Sequence, residues 1–191
     1  MTLNLKELLI QSVTAPRSVA PQILGLQLSN EILWTMMALV AVLNAILYSL
    51  SIFVFETSTG LKTGMNLPFL YLALLGAAMV IGAMVLRWVG QMWGGRATLN
   101  DMFAMVVWLQ ALRAVAQLGL LVLMVVAPGL SNLVAIGLGM FGLWLMANFL
   151  DVAQGWNSLG KSIVVLVLTG LGFAFGLSFF MLLIGATAMG I

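Results

Sequence analysis

Arg113 is the residue best placed to do chemistry, because it is a lone charge well inside an apolar stretch. Gln110 and Gln117 fall within about 60° of it around a helix that turns ~100° per residue. Three polar side chains on one stripe should face a bundle interior or a water-filled cavity. Farther along, Asn148 and Asp151 share another helical face. Asp151 is the best available carboxylate partner for Arg113. Gln110, Arg113, Gln117, Asn148 and Asp151 are therefore a candidate polar cluster. Two uses are open. One is a polar pocket or conduction path. The other is a structural tie between two helices, with Arg113 snorkelling toward an interface. Asn44 can add a further hydrogen bond between helices.

Other chemistries are excluded by residue type. The chain has no Cys and no His. Disulfides, haem ligation by His or Cys and the Cys–His or Ser–His–Asp arrangements are therefore impossible. Zinc would need ligands from only five carboxylates. Of these, Glu31, Glu56 and Asp101 sit at the ends of apolar runs and do not converge, so no enzyme is expected. No cluster of Lys or Arg exists to neutralise several phosphates, so nucleic acid is not an expected partner. The 14 methionines could suit copper(I), but Met36-Met37 and Met102 with Met105 are only scattered pairs. They read as flexible gap fillers. No cofactor is expected.

Glycine patterns need the same weighing. Gly137, Gly139 and Gly142 match the dinucleotide-binding spacing, yet they lie in an apolar run with no strand before them. Gly172 with Gly176, and Ala78 with Gly82, are small residues four apart. Such pairs let helix backbones approach closely. Packing within the chain is the favoured use, with a homodimer seam as the alternative.

The elements that must position these residues follow from charge. Only 6% of residues are charged and 63% are hydrophobic, against about 25% charged in soluble domains. Uncharged stretches cover 32–55, 63–86, 114–150 and 162–191. About 20 residues suffice to cross a ~30 Å hydrocarbon core. The run 114–150 would be about 55 Å long as one helix, and Pro128-Gly129 with Ser131-Asn132 divides it. The chain therefore reads as an all-α integral membrane protein, a five-transmembrane-helix bundle. The spans are about 31–55, 68–93, 101–127, 131–152 and 161–188. They form a membrane domain over 31–191, preceded by an amphipathic surface segment over 1–30. In that segment a short helix from Asn4 to Val13 is broken by Pro16 and Pro21. Lys6, Glu7 and the prolines interrupt the apolar stretch, which argues against a cleaved signal peptide. Ser29-Asn30-Glu31, Pro68, and Thr98 or Asn100 are the helix-start signals.

Direction comes from basic residues in short connections. One side holds Lys6, Arg17, Arg87, Arg96 and Lys161, and the other only Lys62. This bias puts the N-terminus in the cytoplasm and, after five spans, the C-terminus on the opposite side of the membrane.

Three stretches now stand out. They are Ala15-Pro16-Arg17, Gly94-Gly95-Arg96-Ala97-Thr98, and the run from Trp144 through Asn148, Asp151 and Gly155-Trp156-Asn157-Ser158 to Lys161. Together they resemble the bacterial branch of the Yip1-domain family, over essentially the whole chain. The resemblance implies a five-helix membrane fold with a cytoplasmic N-terminus. Eukaryotic relatives take part in vesicle traffic and Rab GTPase binding. Their acidic, aromatic cytoplasmic region and Asp-Leu-Tyr-Gly-Pro motif are missing from this chain, so that role is not carried over. The expected function is a non-enzymatic membrane scaffold or adaptor, working through lipids, a membrane-protein partner or a second copy. The alternative is a small transporter or channel built around Arg113.

Overall fold

The computed structural model describes residues 5–59 and 67–188. Among them are seven α-helices and no strand. Two are short, α1 (Leu5–Thr14) and α2 (Pro16–Leu24). Five are long: α3 (Asn30–Thr59), α4 (Pro68–Met92), α5 (Leu99–Val126), α6 (Pro128–Gln154) and α7 (Leu159–Ala188). Each long helix holds a stretch long and apolar enough to cross a membrane. The expected five-span all-α architecture is thus the observed one. Lys62 and Gly64 of the first polar loop, Asn4 and Ile191 lie outside the described residues.

Helix ends follow local chemistry. Ser29 Oγ accepts from the Ile32 amide at 3.5 Å as α3 begins. Pro68 occupies the first turn of α4, where a missing N–H costs nothing. Thr98, rather than Asn100, caps α5. Its side chain accepts from the Asp101 amide, and the Asp101 carboxylate accepts from the Thr98 amide at 2.8 Å. Gly155 ends α6 at φ 71°. Its amide reaches the Val152 carbonyl, and the next amide, of Trp156, reaches Asp151 at 3.2 Å. That is a Schellman closure, which favours glycine at the left-handed position.

Two prolines act differently from expectation. Pro128 was read as part of a turn with span four starting near 131, but α6 begins at Pro128 itself. A single residue, Ala127, separates it from α5. Proline is pre-shaped for a first helical turn, so the connection can be this tight. Pro21 was read as a breaker and lies inside α2. The lost backbone bond is offset by burial of Pro16, Val19, Ala20 and Ile23 on one face.

Packing is uneven along the bundle. α5 is central and touches α2, α3, α4 and α6, while α7 rests on α4 and α6. Residues Met102 to Val107 are buried in unbroken succession, as expected for a helix enclosed all round. The main core joins this stretch to Leu33 and Met37 of α3, Ala83 and Leu86 of α4, Phe149 and Leu150 of α6, and α1–α2. All lie toward the end where α4 meets α5 and α6 meets α7. Toward the other end, among the described residues, Leu47, Ala114 and Leu121 form a small cluster with Val54 packed against it. There Leu133, Ile136 and Met140 of α6 and Phe175 of α7 face outward. In lipid such exposure costs little, and helix association rests on fit and hydrogen bonds.

Candidate functional site

Asp151 is the most tightly held charged group. Its side chain is only 2% exposed. Oδ2 accepts from the Arg17 guanidinium at 2.7 Å, and Oδ1 accepts from the Ser158 amide at 2.6 Å. One carboxylate therefore ties α2 to α6 and to the start of α7. Arg17 keeps half of its side chain in contact with the surroundings. This corrects the expected partnership, since Asp151 is bound to Arg17 and not to Arg113. Helix rise explains why. The Arg96 amide bonds the Gln154 carbonyl, which puts the start of α5 level with the end of α6. From that level Arg113 lies roughly 15 Å farther along the bundle than Asp151, at ~1.5 Å per residue.

Gln154, one turn beyond Asp151, is fully buried. Its Nε2 donates to the Leu86 carbonyl at 3.2 Å, and its Oε1 accepts from the Ala97 amide at 3.3 Å. Its own carbonyl accepts from the Arg96 amide at 3.1 Å. Gly90 and Gly95 make the slot, because a Cβ on either would collide with this amide. Gly94 turns the chain at φ 79°. The Gly-Gly-Arg-Ala connection is thus shaped around one glutamine from another helix. Gln154 lies beyond the expected end of span four at 152, and neither it nor Gly90 stands out in the sequence. The available signal was spacing: Asn148, Asp151 and Gln154 recur every third residue and make one polar stripe.

The rest of the expected cluster divides. Asn148 is buried and donates to Trp144 of its own helix at 2.8 Å. Asn44 does link helices, donating to the Gln110 carbonyl at 3.2 Å. Gln110, Arg113 and Gln117 stay together on a groove of about 830 Å³ between α5 and α6. Arg113 is exposed and donates weakly to the Tyr71 hydroxyl at 3.4 Å. Tyr71 stacks on Tyr48 with ring centroids 3.9 Å apart. Gln117 donates to Ser51 Oγ at 3.2 Å. Gln110 Oε1 is buried without a hydrogen-bond partner.

Among the described residues the small-residue pairs make no close backbone contact. Ala78, Gly172 and Gly176 are exposed, and Gly82 is half-buried. A Cβ added at Gly82, Gly172 or Gly176 would meet nothing within 4 Å. Gly137, Gly139 and Gly142 are equally open. Close approach occurs instead at Gly90 and Gly95.

The three stretches singled out in the sequence therefore meet at one end of the bundle. Ala15-Pro16-Arg17 brings the guanidinium, Gly94 to Thr98 brings the shaped turn, and Asp151 to Ser158 brings their partners. No curated protein and no solved structure gives a significant match. The Yip1 domain model matches residues 10–185, from α1 into α7. With five helices able to span a bilayer, the chain is a multi-pass membrane protein and belongs to the Yip1-domain family.

Proposed function

We propose that this Yip1-domain protein is a non-enzymatic membrane scaffold or adaptor. It packs against a membrane partner or lipids, as an accessory subunit of a larger complex in a bacterial cytoplasmic membrane. The observation carrying this reading is how the buried polar groups are spent. Asp151 and Gln154 use their side chains to hold α2 and two connections to the bundle. These contacts support reading α1 and α2 as a fixed platform, which on this proposal lies at the membrane surface. Positive charge at that end supports a cytoplasmic location for it. The test is purification in mild detergent with cross-linking. The wild-type chain should carry a defined membrane protein, and Arg17→Ala should release it, since Asp151 then loses the contact holding α2. A wild-type chain that purifies alone and monomeric removes the basis for the reading.

A second reading is favoured by one observation, the gathering of Gln110, Arg113 and Gln117 on an open groove. That is a small transporter or channel. Arg113→Leu should then abolish flux in reconstituted vesicles while the fold survives. Unchanged flux, or no flux from the wild type, sinks it.

A further inference from the structure

Arg113 is a cation near the middle of a span. It stands halfway along α5 (Leu99–Val126), about 20 Å from either end at ~1.5 Å per residue. Its side chain is exposed and donates at 3.4 Å to the hydroxyl of Tyr71, a neutral group. Among the described residues no carboxylate pairs with it. Asp151 is bound to Arg17, and Asp101 holds the Thr98 cap at the start of α5. Glu7 is bonded to Gln11 on α1, and Glu31 lies in the first turn of α3. Asn44 donates to the Gln110 carbonyl and Gln117 donates to Ser51, so Arg113 is level with α3 near Leu47. Glu56 is then roughly 13 Å farther along α3. A second copy in the same orientation carries its carboxylates at these same levels and brings none to Arg113.

The groove beside Arg113 is long and narrow. Leu109 to Met124 of α5 and Ser131 to Met146 of α6 wall it, each about 22 Å, or four helical turns. Leu9 and Val13 of α1 close one end. Polar groups are spread along its length, and most are already used. Gln117 is bonded to Ser51, Ser131 donates to the Pro128 carbonyl, and Gln110 Oε1 is buried in the wall. Arg113 and the exposed Asn132 remain to meet an occupant. On α6, Ala135, Gly139 and Gly142 line the groove at helical spacing. A Cβ on either glycine would meet nothing within 4 Å. Counted from Ala127, which separates α5 from α6, both glycines lie within about 3 Å of the level of Arg113. Another helix backbone can come close to α6 there, beside the cation.

We propose that this groove docks one transmembrane helix of a different membrane protein, and that an Asp or Glu near the middle of that helix pairs with Arg113. Charge complementarity selects the occupant. An uncompensated charge at mid-membrane is costly on either chain, and guanidinium with carboxylate forms a strong bidentate pair. A hydrocarbon tail offers nothing to Arg113 or Asn132. A small free anion leaves most of four apolar turns unfilled. The site rests on the scaffold reading and gives that reading's partner its surface and its chemistry.

The probe is a synthetic Leu-Ala helix of about 20 residues, long enough to span, with one Glu at its centre. It is mixed with the full-length chain in phosphatidylcholine vesicles, where no anionic lipid competes. The chain has no Cys, so a dye on Gly129→Cys and a dye on the probe report association by energy transfer. The Glu probe should associate about tenfold more tightly than a Gln probe. Moving the Glu two turns toward either end should remove that gain. Arg113→Leu should make the two probes equal. Lys161→Leu, an exposed charge outside the groove, should leave their difference intact. Gly142→Trp fills the groove from an open glycine and should weaken both probes, which keeps the test valid if Arg113→Leu fails to fold. A Glu probe that binds wild type no better than the Gln probe, or binds the Gly142→Trp variant as well as wild type, overturns the site. The scaffold reading fails separately. A native membrane protein released by Arg17→Ala but kept by Arg113→Leu and Gly142→Trp overturns the groove and leaves the scaffold standing.

Discussion

A methyl group added at Gly95 has nowhere to go, because it meets the buried Gln154 amide on one side and the Gly90 carbonyl on another. Gly90 faces the same amide. At Gly172 the same methyl meets nothing. Overpacking a closed site costs about 1–3 kcal/mol, whereas an open position changes stability by no more than about 0.5 kcal/mol. Gly90→Ala and Gly95→Ala should therefore lower the melting temperature in detergent by several degrees, and Gly172→Ala should not. Gln154→Ala added to Gly95→Ala relieves the collision, yet it strands the Leu86 carbonyl and the Ala97 amide. The double variant should stay less stable than wild type. Equal melting of Gly95→Ala and Gly172→Ala would mean that the Gln154 slot does not hold the two connections together. The contrast is informative because Gly172 and Gly176 have the spacing associated with helix contacts, and Gly90 and Gly95 do not.

Elements were legible wherever their signal was local. Charge spacing delimited the five spans, and the caps at Ser29, Pro68 and Thr98 depend on residues no more than four positions apart. Pro128 and Pro21 were less legible, for different reasons. Proline suits a first helical turn as readily as a loop, so Pro128 alone does not say where α6 begins. Whether a helix tolerates an internal proline depends on what its face buries, and for α2 that face packs on α5 and α6. The pairing of Arg17 with Asp151 joins residues 134 positions apart. No periodicity carries such a contact. Both residues were visible as members of unusual stretches, but only the fold shows that the stretches meet. Arg113 was recognised as the exceptional charge, and it remains so in the structure, with its neighbours Gln110 and Gln117 on one groove. Its partner was misassigned because one-dimensional reasoning matched signs without comparing depths.

Among the described residues the bundle is closed at one end and open at the other, and this asymmetry decides how its direction in the membrane can be measured. The long helices have 25 to 30 residues, about 38–45 Å, which exceeds a ~30 Å hydrocarbon core. A reporter domain inserted between Gly95 and Thr98 would break the Gln154 contacts it is meant to leave alone. The chain offers a gentler probe, since it contains no Cys. Gln22 is exposed on α2, and Gly129 is exposed in the first turn of α6 with free space around it. A single cysteine at either place should leave the fold intact. With the N-terminal end in the cytoplasm, Gly129→Cys should react with an impermeant maleimide in intact cells. Gln22→Cys should react only after permeabilisation. This is the pattern expected from the positive charges counted toward that end, Lys6, Arg17, Arg87, Arg96 and Lys161. Labelling of Gln22→Cys in intact cells with Gly129→Cys protected would reverse the orientation, and it would put the α1–α2 platform outside, away from any cytoplasmic partner.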